Sequence, residues 1–368
     1  MGQLSGFCIG VTADRRSGEQ IQMLESRGAE CIHGPMLRTH ALGPQRDVAV
    51  ATESVIECPP DITILNTGIG VRGWFAAADS LLLGESLHHA LGSSHIVSRG
   101  PKACGAAVTA GLRVDWNAAT ATSGEVISYL ADRQVRGQTV ALQLDGDLSG
   151  DFAKRIEELG ARVIEVPVYR WTSPDDRPAA ENLISAVCDR RLDAITFTAR
   201  PAVTNFARIT DEMGRFPEVV ETLAQHTRVY SLGPTTAAAL HQLGLGDSES
   251  PERSRLGALV MHLTDSLSGR AQDLSIAGHR VRFQGRLVVV GDSTSEYLTG
   301  REKQLLEVLV RRPGVVHSKS SLLAEIWGED SPDGHVVEVT VGRLRRRLGP
   351  AGVGVETVMR RGYRVSAA

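Results

Sequence analysis

Short apolar runs alternate with amphipathic stretches along the first two thirds of the chain. Cys8 to Thr12 and Glu30 to His33 predict strands around a helix at Gln20 to Arg27, and the order returns with Val140 to Leu144, Phe152 to Leu159 and Arg162 to Val168. Short strands separated by helices predict right-handed crossovers and parallel sheets. A further amphipathic stretch, Leu81 to Leu91, predicts a helix that carries His88 and His89 on its solvent side. Beyond residue 272 the period changes. Alternating apolar residues about Gln284-Gly285 predict an antiparallel hairpin. Three helices follow: Leu298 onward, capped by Thr299 with Glu302 three residues later; Ser320 to Trp327, burying Leu322, Leu323, Ile326 and Trp327; and His335 to Leu348. Val355 to Val365 predicts a last hairpin with Arg360 and Arg361 near its tip.

The first part is internally duplicated at an offset of 132 or 133 residues. Gly28-Ala29 and Pro35 recur as Gly160-Ala161 and Pro167. Asp61-Ile-Thr-Ile-Leu-Asn-Thr is echoed by Asp193-Ala-Ile-Thr-Phe-Thr, and Ser98-Arg-Gly-Pro by Ser231-Leu-Gly-Pro. Four landmarks in one register imply two related α/β units.

Several predicted strands run straight into Gly/Pro/Ser/Thr turns that open a helix, at residues 66–70, 98–101, 198–201 and 231–236. Ligands of open parallel sheets sit outside such strand ends, where free backbone N–H groups favour anions. The same turns are also ordinary strand-to-helix connections. Gly68-Ile-Gly70-Val-Arg-Gly73 fits the dinucleotide fingerprint. That mechanism needs an acid at the end of the next strand, where His95-Ile-Val-Ser-Arg has none, so turn chemistry is the expectation.

Charge separates the two parts. From Gln272 onward there are 15 Lys and Arg against 11 Asp and Glu, and before it 25 against 32, within a chain of net charge -3. The tail is therefore the candidate polyanion binder. Five scattered cysteines, Cys8, Cys31, Cys58, Cys104 and Cys188, form no CxxC pair and read as small core residues; no metal site and no cofactor are expected. With neither a signal-peptide pattern nor a membrane-length apolar run, a cytoplasmic protein is the expectation.

In the third helix of the tail, about 100° per residue places Val337, Val341, Leu344 and Leu348 on a core face. Arg343, Arg346, Arg347 and Thr340 gather opposite, joined by Val336 and Val339. Arginines suit phosphates and guanine edges, and valines suit thymine methyls. The order LTxxExxLL, PG, LLxxxW, LRRRL and GYR over residues 272–368 resembles an OmpR/PhoB-type winged helix. That resemblance implies a double-stranded DNA partner, a homodimer on DNA, and contacts from His335, Val336, Val339, Thr340, Arg343, Arg345, Arg346, Arg347, Arg360 and Arg361.

The duplicated body, with Ser231-Leu-Gly-Pro-Thr-Thr-Ala and Leu159-Gly-Ala-Arg-Val-Ile-Glu-Val-Pro-Val-Tyr169, resembles uroporphyrinogen-III synthase over residues 5–266. The implied fold is α/β, with two duplicated parallel-sheet lobes and a C-terminal winged helix-turn-helix. Lobe one would be 1–37 plus 171–266, lobe two 38–170, a linker 267–271 and the DNA-binding domain 272–368. The family cyclises hydroxymethylbilane with loss of water, largely by holding a reactive chain in geometry. Carried over, Tyr169 and Thr236 would be catalytic, and Thr67, Gly70, Arg72, Ser98, Gly100, Lys102, Thr198, Gly233 and Thr235 would hold ligand carboxylates. The threonines equally suit helix capping. The chain departs from the family at Ala13, at Thr67-Gly68 and at Thr198-Ala199. The expected function is a DNA-binding transcriptional regulator whose body senses a tetrapyrrole or related polycarboxylate, similar to actinobacterial fusion proteins of nitrate and nitrite assimilation. The alternative is an active synthase with an appended DNA-binding domain.

Overall fold

The computed structural model describes residues 2–146, 151–291, 294–328 and 333–366. The chain forms two compact units, 1–36 with 176–368, and 37–175.

In the first unit four parallel strands lie in the order Arg228–Ser231, Ala194–Phe197, Cys8–Val11, Glu30–His33. Cys8–Val11 and Ala194–Phe197 are buried throughout, as expected for strands with helices on both faces. Leu259, Leu263 and Leu267 of helix Leu256–Ser268 close one face over Leu4, Ile9 and Leu24. Each such side chain contributes about 1.5–3 kcal/mol relative to exposure.

The second unit holds five parallel strands in the order Trp116–Asn117, His95–Ser98, Ile62–Leu65, Thr139–Gln143, Arg162–Val166. Helices Arg46–Glu57, Gly68–Ser80, Gly84–Gly92 and Pro101–Thr109 pack one face around the buried Trp74. Helices Ser123–Asp132 and Asp151–Glu158 pack the other through Val126, Leu130, Ala153 and Ile156. Where one helix was expected over Leu81 to Leu91, the chain breaks at Leu82, whose φ of 60° is left-handed. His88 and His89 on the following helix are both exposed.

Strand Arg38–Ala41 pairs antiparallel with Tyr169–Thr172, Ala41 opposite Tyr169. This ladder keeps 171–175 with the second unit, so the return crossing falls at 175/176 where the sequence suggested 170/171. Of the expected linker 267–271, Leu256–Ser268 extends into its first two positions, and strand Gln272–Ile276 starts directly after residue 271.

The C-terminal domain begins with four antiparallel strands, Gln272–Ile276, His279–Gln284, Leu287–Val290 and Thr294–Tyr297, a fuller sheet than the hairpin expected. Helices Gly300–Arg311, Lys319–Trp327 and His335–Arg347 follow, then the hairpin Val355–Val358 with Gly362–Val365. Thr299 and Glu302 form the anticipated capping box. Val337, Val341, Leu344 and Leu348 are buried, with Leu305, Leu309, Leu322 and Ile326. Leu323 and Trp327 are only partly covered. The domain is a winged helix.

Cys8 and Cys188 are buried, Cys31 and Cys104 half-buried, and Cys58 is exposed rather than in the core. Among the described residues no helix is long and apolar enough to cross a membrane.

Candidate functional site

In the second unit the residues singled out lie at the carboxyl ends of neighbouring strands. Thr67 caps helix Gly68–Ser80 by accepting from the Gly70 N–H at 3.1 Å, and its hydroxyl lies 3.1 Å from that of Tyr169. Tyr169 is buried, edge-on to Trp171 at 6.0 Å. Beneath the loop, the buried Gln143 accepts from the N–H groups of Asn66 and Thr67 at 3.2 and 3.1 Å and donates to the Leu144 carbonyl. A Cβ on Gly70 would stand 2.1 Å from the Gln143 amide, so glycine there permits close helix-to-strand approach. Gly70 thus serves packing, where the sequence suggested turn chemistry for the GxGxxG pattern. The buried Asn66 Oδ1 has no hydrogen-bond partner among the described residues.

The next loop is less open than expected. Ser98, expected to hold a ligand carboxylate, is fully buried, and its hydroxyl donates to Asn117 at 2.6 Å, bracing the strand end. Gly100 caps helix Pro101–Thr109, and Lys102 in its first turn is exposed, as is Arg72. Arg99 pairs with Asp145 at 2.5 Å.

In the first unit, Thr198 is half-buried after its strand, and Gly233, at φ 96°, precedes helix Pro234–Gln242. Thr235 is exposed in the first turn. Thr236 corrects its expectation: it is buried, and its hydroxyl turns back to the Leu232 carbonyl at 3.4 Å. A helical threonine readily makes this bond.

The third tail helix also sorts its candidates. Arg343 and Arg346 are exposed on it, Val339 is 37% exposed, and Arg360 and Arg361 are exposed in the turn of the last hairpin. His335 is exposed and lies 3.2 Å from Glu338, which also pairs with Lys319. Four candidates are engaged elsewhere. Thr340 is buried and donates to the Val336 carbonyl at 2.7 Å, while Val336 packs partly against the domain core. Arg345 donates to the Val355 carbonyl and the Thr357 hydroxyl at 2.7 and 2.8 Å, bracing the hairpin. Arg347 pairs with Glu296 at 2.6 Å. Helical periodicity alone placed Thr340 outside, where the folded domain buries it.

Residues 19–261 match the family described as uroporphyrinogen-III synthase HemD. The chain belongs to that family. A putative uroporphyrinogen-III synthase of Methanothermobacter thermautotrophicus is 26% identical over 254 residues, 68% of this chain and 95% of that protein. A mutant uroporphyrinogen III synthase from the extremely thermophilic bacterium Thermus thermophilus shares the fold, with a TM-score of 0.62 and 24% identity, over 72% of this chain and all of that one. Residues 293–365 match the family described as transcriptional regulatory protein, C terminal. There the transcriptional regulatory protein CutR of Streptomyces coelicolor is 42% identical over 81 residues, 22% of this chain and 37% of that protein. The chain therefore fuses a HemD-type body to a winged-helix DNA-binding domain of transcriptional regulators.

Sequence reasoning missed Gln143, Asn117 and the Arg99–Asp145 pair. Gln143 left one signal, an amide ending the otherwise apolar run Val140 to Leu144. Among the described residues no group of His, Cys, Asp and Glu could hold a metal ion.

Proposed function

We propose that the protein is a transcriptional regulator whose synthase-like body takes a tetrapyrrole or related polycarboxylate and whose C-terminal domain reads double-stranded DNA. One observation carries this reading: the family body is joined to a domain whose third helix and hairpin turn leave Arg343, Arg346, Arg360 and Arg361 exposed. Cations on one helix and an adjacent turn suit phosphate contacts, and Val339 between them suits a thymine methyl. DNA-binding domains of this kind commonly act as pairs on repeated sites, which favours a homodimer on DNA.

Ligand binding is supported by the Thr67 loop and by the helix amino termini at Gly100 and Gly233, each suited to a carboxylate. The withdrawn Thr236 hydroxyl and the braced Ser98 favour binding over turnover. The link to nitrate and nitrite assimilation has chemical logic, since uroporphyrinogen III leads to the sirohaem of nitrite reductase.

A second reading, a working synthase, is favoured by the Tyr169 hydroxyl held beside Thr67. A single-turnover assay with hydroxymethylbilane separates the two. The regulator reading expects only the spontaneous type I ring from the wild type and from Tyr169→Phe. Type III product that falls in Tyr169→Phe makes the body an enzyme.

A further inference from the structure

Within the first unit the winged helix packs against the HemD-type body through hydrogen bonds, a close backbone approach and ion pairs. At the turn between strands His279–Gln284 and Leu287–Val290, the buried Gln284 donates its amide to the carbonyls of Gln3 and Ser5 at 3.0 and 2.8 Å. The Arg286 N–H donates to the Gly6 carbonyl at 2.7 Å, and its guanidinium pairs with Glu30 at 3.1 Å. Gly6 and Gly285 meet backbone to backbone. A Cβ on Gly285 would stand 2.4 Å from the Gly6 oxygen, and one on Gly6 2.3 Å from the Gln284 oxygen. Both glycines have positive φ, +90° and +56°, and only glycine permits this approach without strain.

Farther along, Lys303 of helix Gly300–Arg311 pairs with Asp193, which directly precedes strand Ala194–Phe197. Their side chains are only 12% and 10% exposed. The other Asp193 oxygen accepts the Cys8 N–H at 2.8 Å, and Glu307 lies 3.7 Å from the Lys303 amine. Burial alone would lower the Lys303 pKa. Asp193 and then Glu307 outweigh it and hold the amine above its ordinary value, so it stays charged. Arg190 also donates to the Glu325 carbonyl at 3.1 Å.

Glu30, Asp193 and Cys8 stand at the amino ends of the parallel strands. Thr198 and Gly233 follow the carboxyl ends. The exposed Arg343, Arg346, Arg360 and Arg361 take no part in the seam.

We propose that this seam is a latch, centred on Lys303–Asp193 and Gly6–Gly285, that makes the first lobe and the DNA-binding domain one rigid body. The DNA-reading helix then keeps one fixed orientation to the loops at the far end of that lobe, with its reading face left exposed. Strand Ala194–Phe197 begins at the latch and ends one residue before Thr198, so one element spans both ends of the lobe. For its regulatory consequence, the latch rests on reading the chain as a DNA-binding regulator.

The test is backbone relaxation of the full-length protein by NMR, with half-site DNA binding measured beside it. In the wild type, residues 300–328 and 333–366 tumble at the rate of the whole 39.5 kDa chain. Lys303→Met with Asp193→Asn removes the ion pair and neutralises both of its members, and Gly285→Val breaks the backbone approach. Either variant speeds tumbling of the DNA-binding domain while half-site affinity stays within roughly 3-fold, because the reading face is outside the seam. Independent tumbling in the wild type, or whole-chain tumbling retained in both variants, overturns the latch. A gain above roughly 10-fold in affinity on unlatching overturns the claim that the docked state is DNA-competent. Whole-chain tumbling with no DNA binding by the wild type would instead overturn the regulator reading, and with it the regulatory consequence.

Discussion

The hydroxyl oxygens of Tyr169 and Thr67 stand 3.1 Å apart, tying the start of strand Tyr169–Thr172 to the cap of helix Gly68–Ser80. The strand begins where the chain enters its ladder with Arg38–Ala41, so one bond joins the Thr67 loop to the crossing segment. Tyr169→Phe is expected to cost the second unit about 1 kcal/mol of unfolding free energy, the worth of one hydrogen bond. Chemical denaturation checks this. A loss several times larger would mean that the ring's packing, and not its hydroxyl, had been disturbed.

Gly70→Ala places a methyl group on the Gln143 amide that holds the Asn66 and Thr67 N–H groups. Because that amide is bonded on both sides, it cannot simply swing away. We expect a loss of about 1–3 kcal/mol from overpacking, together with weaker ligand binding. Thermal unfolding of the variant measures the first, and unchanged stability would mean that the strand end yields more readily than the geometry implies.

The arginines of the third tail helix should divide by partner. Arg343→Ala or Arg346→Ala is expected to weaken DNA binding and to reduce the salt slope by about one. Arg345→Ala, which removes the brace to Val355 and Thr357, should instead lower the stability of the last hairpin. Val339→Ser should change site preference at a thymine. Binding titrations over a range of salt concentrations separate these effects, and equal salt slopes for all three arginine variants would contradict the division.

His95 provides a pH test. Burial lowers its pKa from 6.5, with the Arg133 charge adding to the effect and Asp115 opposing it, while its imidazole lies 2.7 Å from the Tyr129 hydroxyl. The unfolded chain therefore takes up the proton more readily than the fold. This contribution to stability is complete above the ordinary histidine pKa and is lost as pH falls through the lower folded value. The urea midpoint of the second unit should drop as pH falls below about 6.5, and His95→Gln should flatten that drop. An identical slope in the variant would assign the pH dependence to other groups.

Cysteine labelling checks packing without any ligand. Burial pushes the thiols of Cys8 and Cys188 up to about 12, whereas Cys58 is exposed. An alkylating reagent at mildly alkaline pH should modify Cys58 first and reach Cys8 and Cys188 only on unfolding. Early modification of Cys8 would show that the edge near Asp193 opens in the native state.

The strand and helix order of both lobes was legible because burial on both faces leaves a nearly unbroken apolar run, as in Ile62–Leu65, and a duplicated register supplies it twice. The winged helix was legible through its capping box and its core valines. Side-chain engagement was not. Thr236 and Thr340 look like free hydroxyls in sequence, yet each bonds a carbonyl four residues back, and Arg345 and Arg347 find partners 10 and 51 positions away.

By itself, then, the sequence determined the two-lobed α/β body, the winged helix and the elements that carry candidate chemistry, because those follow from local periodicity, capping and repetition. Only the tertiary structure decided which hydroxyls and guanidiniums remain exposed, that Gln143 organises the Thr67 loop, and that Lys303 meets Asp193 across 110 residues. Such partners lie far apart along the chain, and nothing local in either segment specifies the other; it is the packing of whole elements that brings them together.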